Sequence, residues 1–197
     1  MKSTDDVMRL EDLEELLVAA SQSSNHRRFV VAGSLSILGA VVTPPTDMAM
    51  SRDLDFYPQL DPGRGFLEIA SDLGEGSPFH QQNGFYADPI SPKLLALPAG
   101  WEGRLAPHSM RHGVVAFFME PNDVAIGKLA RGADHDIRWI RAGLACGALN
   151  AQVIADRLGS VDALSVEEAR GVRSLLAAEA ELLRRDEANA LRNERPT

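Results

Sequence analysis

The chain has 197 residues, 45% of them hydrophobic and 24% charged, with 20 lysines and arginines against 28 aspartates and glutamates for a formal net charge of −8. This is globular composition for one domain, or a domain with a helical appendage; it excludes a disordered chain and, with a single cysteine, a disulfide-stapled mini-protein. The acidic balance also argues against broad, sequence-independent nucleic-acid binding, although Lys128, Arg131, Arg138 and Arg141 outnumber Asp134 and Asp136 over residues 125–142.

The N-terminus is acidic and amphipathic, unlike a secretory signal, and no apolar stretch approaches the roughly 18 residues of a spanning helix, so the cytoplasm is the default location and no membrane partner is expected. Leu10, Leu13, Leu16, Leu17 and Ala20 recur at helical spacing and predict a first helix over 5–22. Phe29 to Ala32 then reads as a buried strand ended by Gly33, with a short helix over 34–40 capped by Ser34. Pro44 and Pro45 impose a loop, since neither offers an amide donor. The alternating segment Asp53 to Tyr57 predicts a strand with its acids on one face. Residues 61–73 read as helix, 74–83 as loop, and 84–88 and 114–118 as further strands. After Pro121 the character turns helical, over 123–130, along Ile137, Ile140 and Leu144, over 150–158, and from a capping box at Ser165 to Glu168 out to about residue 190. Cys146, among Leu144, Ala145, Gly147 and Ala148, reads as a core residue. The layout predicts an α/β half over 1–119 followed by an α half over 120–197.

Asp53 and Asp55, one residue apart on a strand, project from the same face and can share a cation. Such a pair is costly without compensation, and Mg2+ or Mn2+, which favour carboxylate oxygens, water and substrate phosphates, would supply it. Gly33 and Ser34 form a turn between strand and helix, where backbone amides can approach a phosphate. Asp88, at the end of another strand, is placed to complete a carboxylate cluster. Lys128, Arg131 and His135 are spaced to share one helical face, for which a solvated surface with ordinary ion pairs is the alternative reading. His108 and His112 are four apart but adjoin Pro107, with no third ligand nearby, and make a poor zinc site. Trp101 and Trp139 read as packing residues.

Several segments together, Val31-Ala32-Gly33-Ser34, Ser51-Arg52-Asp53-Leu54-Asp55-Phe56, Phe85-Tyr86-Ala87-Asp88, Leu97-Pro98-Ala99-Gly100-Trp101 and Lys128-Leu129-Ala130-Arg131-Gly132 with Asp136, resemble the polymerase-beta-like nucleotidyltransferase superfamily, and within it the bacterial proteins grouped with AbiEii and MenT toxins. The resemblance implies an α/β fold with a mixed sheet and a C-terminal helical half. It further implies Asp53, Asp55 and Asp88 as metal-binding and catalytic acids, with nucleotide contacts from Gly33, Ser34, Arg52, Lys128 and Asp136. In that arrangement Lys128 holds triphosphate oxygens and Asp136 orients it or the substrate. Two departures stand out: a long gap from Ser34 to Asp53, and Ala133 where the family commonly carries arginine.

The function this implies is metal-dependent transfer of a nucleoside monophosphate from an NTP to an acceptor hydroxyl on RNA or tRNA, protein or a small molecule. A toxin role with a cognate antitoxin partner is one form of it. Ala133 motivates a rival, a weakly active or inactive nucleotide- or partner-binding protein on the same fold. A purely structural α/β protein is the remaining alternative.

Overall fold

A computed structural model describes residues 7–193. Its centre is a mixed five-stranded sheet in the order β3-β2-β1-β5-β4. The middle strand, β1 (Arg28–Val31), runs antiparallel to β2 (Asp53–Pro58) and parallel to β5 (Val115–Phe118). Outside these, β3 (Tyr86–Pro89) pairs parallel with β2, and β4 (Ala106–Ser109) pairs antiparallel with β5. Phe29, Val30 and Val31 are all buried, the continuous apolar run expected of a central strand. In β2 the pattern alternates, with Leu54 and Phe56 fully buried and Asp53 and Asp55 on the opposite face.

Helix α1 (Leu10–Ser24) buries Leu13, Leu16, Leu17 and Ala20 and packs against α3 (Phe66–Leu73). A 3-10 turn over Ser34–Gly39 follows β1, and the four-residue α2 (Thr46–Ala49) precedes β2. The parallel connection from β2 to β3 runs through α3 and α4 (Pro78–Asn83). After β5 come α5 (Pro121–Arg131), α6 (Asp134–Ala145), α7 (Ala151–Arg157) and the long α8 (Val166–Asn193). Val172 and Leu176 of α8 join the same hydrophobic cluster as the sheet and α1. Among the described residues no helix is long and apolar enough to cross a membrane.

Several local expectations are corrected. Helix α1 begins at Leu10; the expected start at residue 5 lies outside the described residues. Residues 61–65 are not helical, because Asp61 and Gly65 take left-handed φ of 54° and 80° and turn the chain. Within the expected loop over 74–83, Ser77 caps α4 by accepting from the His80 amide, with Pro78 at the first helical position. Ser34 does not cap the turn after β1: Gly33 occupies the cap position, without a side-chain bond. Strand β4 lies at a sheet edge, where Pro107 is tolerated because the missing amide faces no partner. Cys146 is exposed rather than core: α6 ends there, and its thiol donates to the Gly143 carbonyl at 3.6 Å. The capping box at Ser165 forms as expected, with Glu168 Oε2 accepting from the Ser165 amide and Ser165 Oγ from the Glu168 amide.

Candidate active site

The parallel register of β2 and β3 sets Asp55 opposite Asp88 and Asp53 opposite Tyr86. Strand alternation keeps Asp53 and Asp55 on one face, so the three aspartates converge, with one carboxylate oxygen of each lying within 4.8 Å of the others. Ser51 Oγ donates to Asp53 Oδ1 at 2.6 Å and fixes that carboxylate at the head of the strand. Burial, then the negative charges of Asp53 and Asp88, push the Asp55 carboxyl up to about 6 against the opposing pull of Lys128 and Arg131. Asp88 is also raised, by burial first and then by Asp53 and Glu75. A set of carboxylate oxygens without thiol or imidazole, crowded enough to repel one another, is a donor set for a hard dication.

The turn after β1 comes very close to these acids. Gly33 has φ +60°, and a Cβ there would stand 1.9 Å from Asp55 Oδ2. The Ala32 amide meanwhile donates to the Asp55 carbonyl at 2.9 Å, locking the turn to the strand.

Behind the turn lies a buried ion network. Asp136, 0% exposed, accepts from Lys128 Nζ at 3.0 Å and from Arg131 through Nε at 2.6 Å and Nη2 at 2.7 Å. Lys128, 4% exposed, also donates to Ser34 Oγ at 2.8 Å. Burial lowers the Lys128 ammonium despite the Asp136 carboxylate beside it. Burial would raise Asp136, but Arg131 and Lys128 outweigh it and hold the carboxyl below the ordinary range. Trp139 Nε1 donates to the Ser34 carbonyl at 3.3 Å and the Met48 carbonyl at 3.1 Å, and Lys128 Nζ stands 5.1 Å from its ring centroid.

The expectation that Lys128, Arg131 and His135 share a helical face is corrected. Gly132, with φ +65°, ends α5, and His135 belongs to α6. Lys128 and Arg131 meet His135 around Asp136, whose Oδ1 lies 3.4 Å from His135 Nε2. Two hollows flank the acids. One, of about 290 Å³, is lined by Ser34, Asp53, Asp55, Asp88 and the side chains of Arg131, His135 and Arg138. The other, of about 480 Å³, has Gly33, Asp55, Asp88, Lys128 and Arg131 on one side and Ile90, Leu95, Met119 and Val124 among its apolar walls.

Of the residues singled out in the sequence, Gly33, Ser34, Asp53, Asp55, Asp88 and Lys128 border these hollows, and Asp136 lies just behind them. Arg52 is exposed beside β2 and lines neither hollow. Ala133 caps α6 and lines neither; Arg131 and Arg138 bring guanidinium groups to the acids instead. His135, Arg138 and Trp139 were not singled out as site residues. The excess of cations over 125–142 is the signal for Arg138, the expected shared face with Lys128 and Arg131 is the signal for His135, and nothing local marks the indole.

A family model described as "Nucleotidyltransferase of unknown function (DUF6036)" matches residues 8–185. No curated protein and no solved structure matches the chain.

Proposed function

The chain belongs to that nucleotidyltransferase family, and from this premise we propose that it transfers a nucleoside monophosphate from an NTP to an acceptor hydroxyl, with Mg2+ or Mn2+ held by Asp53, Asp55 and Asp88. The observation that carries the reading is the convergence of three carboxylates within 4.8 Å beside a hollow walled by Arg131, His135 and Arg138. Such an ion, when bound, neutralises charge on the phosphates and on the attacking and leaving oxygens.

The residues divide the work by position. Arg131 and Arg138 face the triphosphate oxygens, a role that suits forked guanidinium donors, with the His135 imidazole beside them. Gly33 brings backbone close to the phosphates, and Lys128, buried, holds Ser34 and Asp136 in place rather than reaching substrate as a mobile charge. Asp88, the most exposed of the three acids, accepts the proton of the incoming hydroxyl. The acceptor oxygen bonds to the α-phosphorus, the bond to the bridging oxygen breaks, and pyrophosphate leaves with its electron pair. In this reading residues 1–119 supply the acids and the phosphate turn, and residues 120–197 supply the cations.

Titration calorimetry with each NTP in Mg2+, followed by label transfer from the NTP that binds, tests it. Asp88→Asn should bind that NTP and lose about 10²–10⁴-fold in kcat, the range for a lost general base. Asp53→Asn and Asp55→Asn should lose Mg2+-dependent binding. A wild-type protein that binds no NTP in Mg2+ sinks the reading, and binding without transfer replaces it with a nucleotide-binding protein.

A further inference from the structure

We propose that a third hollow, meeting the other two at Asp88, is the acceptor site, and that it takes a hydroxyl borne by a small cationic molecule rather than by a nucleic acid. The inference rests on the nucleotidyltransferase reading above and deepens it. Asp88 lines all three hollows, whereas Asp55 and Arg131 line only the two already described. The third is therefore joined to the nucleotide region through the one acid assigned to the acceptor proton. The cation-walled hollow suits a triphosphate and the larger, aliphatic one a nucleoside, which leaves the third for the attacking group.

Its walls fix the chemistry. Phe66, Ala70 and Pro89 give apolar contact, Tyr86 offers a phenol, and Glu75 and Asp88 supply negative charge. Among the described residues no lysine or arginine lines it. Glu75, which is not one of the three metal-binding acids, and Asp88 at the junction leave this hollow acidic. The His80 ring backs Tyr86 at 4.7 Å, its Nδ1 already accepting the Gly76 amide. A phosphate-bearing acceptor would bring anions against Glu75 with no cation to meet them, while an ammonium group would find a partner there. A volume of about 240 Å³ falls below the roughly 300–1,000 Å³ of sites for drug-sized ligands, room for one ring or one side chain. In the transfer the acceptor oxygen joins the α-phosphorus, the bond to the bridging oxygen breaks so that pyrophosphate leaves, and the hydroxyl proton passes to Asp88.

The test uses the full chain with Mg2+ and the labelled NTP it binds, offered separately to four acceptor pools: small metabolites retained on a cation exchanger, small metabolites retained on an anion exchanger, total tRNA and total protein. Label should enter a new species with the cation-retained metabolites. Glu75→Gln should raise the KM for that pool at least about fivefold, as loss of a charge contact worth about 1 kcal/mol requires, with NTP affinity unchanged. Label appearing instead on tRNA, on protein or in the anion-retained pool overturns the inference. So does an unchanged KM in Glu75→Gln, or nucleotide binding with no transfer to any pool. Failure of the wild-type chain to bind NTP in Mg2+ would instead overturn the nucleotidyltransferase reading and the acceptor site with it.

Discussion

At the scale of single residues, Gly33 is constrained twice. Its φ of +60° already penalises a side chain, and a Cβ would stand 1.9 Å from Asp55 Oδ2. Gly33→Ala should therefore cost about 1–3 kcal/mol, the scale of a residue forced into left-handed backbone, and should push Asp55 out of the carboxylate cluster. Urea unfolding reads the first effect and the Mg2+-induced thermal shift reads the second; a variant that keeps both would show the turn to be pliable. Asp136 makes a different prediction. Its carboxyl is held below the ordinary value of 3.8 by Arg131 and Lys128, against burial, so its contribution is fully present above that value and is lost as the pH falls through the lower folded one. Asp136→Asn should be less stable by about 3 kcal/mol at pH 7, because it strands a buried ammonium. Its disadvantage should shrink below pH 4 as the wild type loses the same charge, which unfolding curves taken at stepped pH would resolve.

At the scale of elements, alternation alone exposed the acid pair, since Asp53 and Asp55 bracket a buried Leu54. What brings Asp88 to them is the parallel register of β2 and β3, a tertiary choice made across the intervening α3 and α4 and invisible to local pattern. Cys146 misled for a related reason: apolar neighbours at the end of a helix imply burial only if another element covers that end. The break between two helices at Gly132 follows from the sequence, but the spacing of Lys128, Arg131 and His135 suggests one face across it; the two helices instead wrap their charges around Asp136. A second junction sits at the opposite end of α5. Asp123, 1% exposed, takes Arg104 Nε at 2.7 Å and Arg157 Nη1 at 2.8 Å, while Arg157 also pairs with Glu120, the cap of α5. Asp123→Ala leaves two guanidiniums with Glu120 alone to balance them and should cost about 3 kcal/mol, as breaking a buried ion pair does. Thermal unfolding measures it, and a loss under about 0.5 kcal/mol, the scatter of ordinary surface changes, would mean that the junction is ornamental.

For the whole molecule, the candidate site is a place where stability is given up. Asp55 is raised from 3.8 to about 6 by burial and by its fellow aspartates, so its charged form weighs against folding at neutral pH. A carboxyl raised in the fold stabilises below its unfolded value and progressively opposes folding as the pH climbs through the folded one. Asp55→Asn should thus make the metal-free protein more stable by about 1–2 kcal/mol at pH 7.5, within the ceiling of roughly 1.4 kcal/mol per pH unit, while abolishing stabilisation by Mg2+. A destabilised Asp55→Asn would show that the carboxylate is needed to hold the fold. The strand, the Gly33 turn and the pair Asp53 and Asp55 of this site are legible in the sequence because they rest on local alternation and turn chemistry. Its hollows are not, because they are bounded by side chains from β2, β3, α5 and α6 that only the assembled sheet and helices bring together.

The indole of Trp139 gives the molecule an optical readout of its own. It is 1% exposed, edges the cation-walled hollow, donates to the Ser34 and Met48 carbonyls, and lies under the Lys128 ammonium. Anionic ligand entering that hollow changes the electric field across the ring and shifts its emission. With only two tryptophans in the chain, replacing Trp101 by phenylalanine leaves a single indole, beside the candidate phosphate site, so ligand arrival can be timed by stopped-flow fluorescence under tryptophan-selective excitation without attaching a dye.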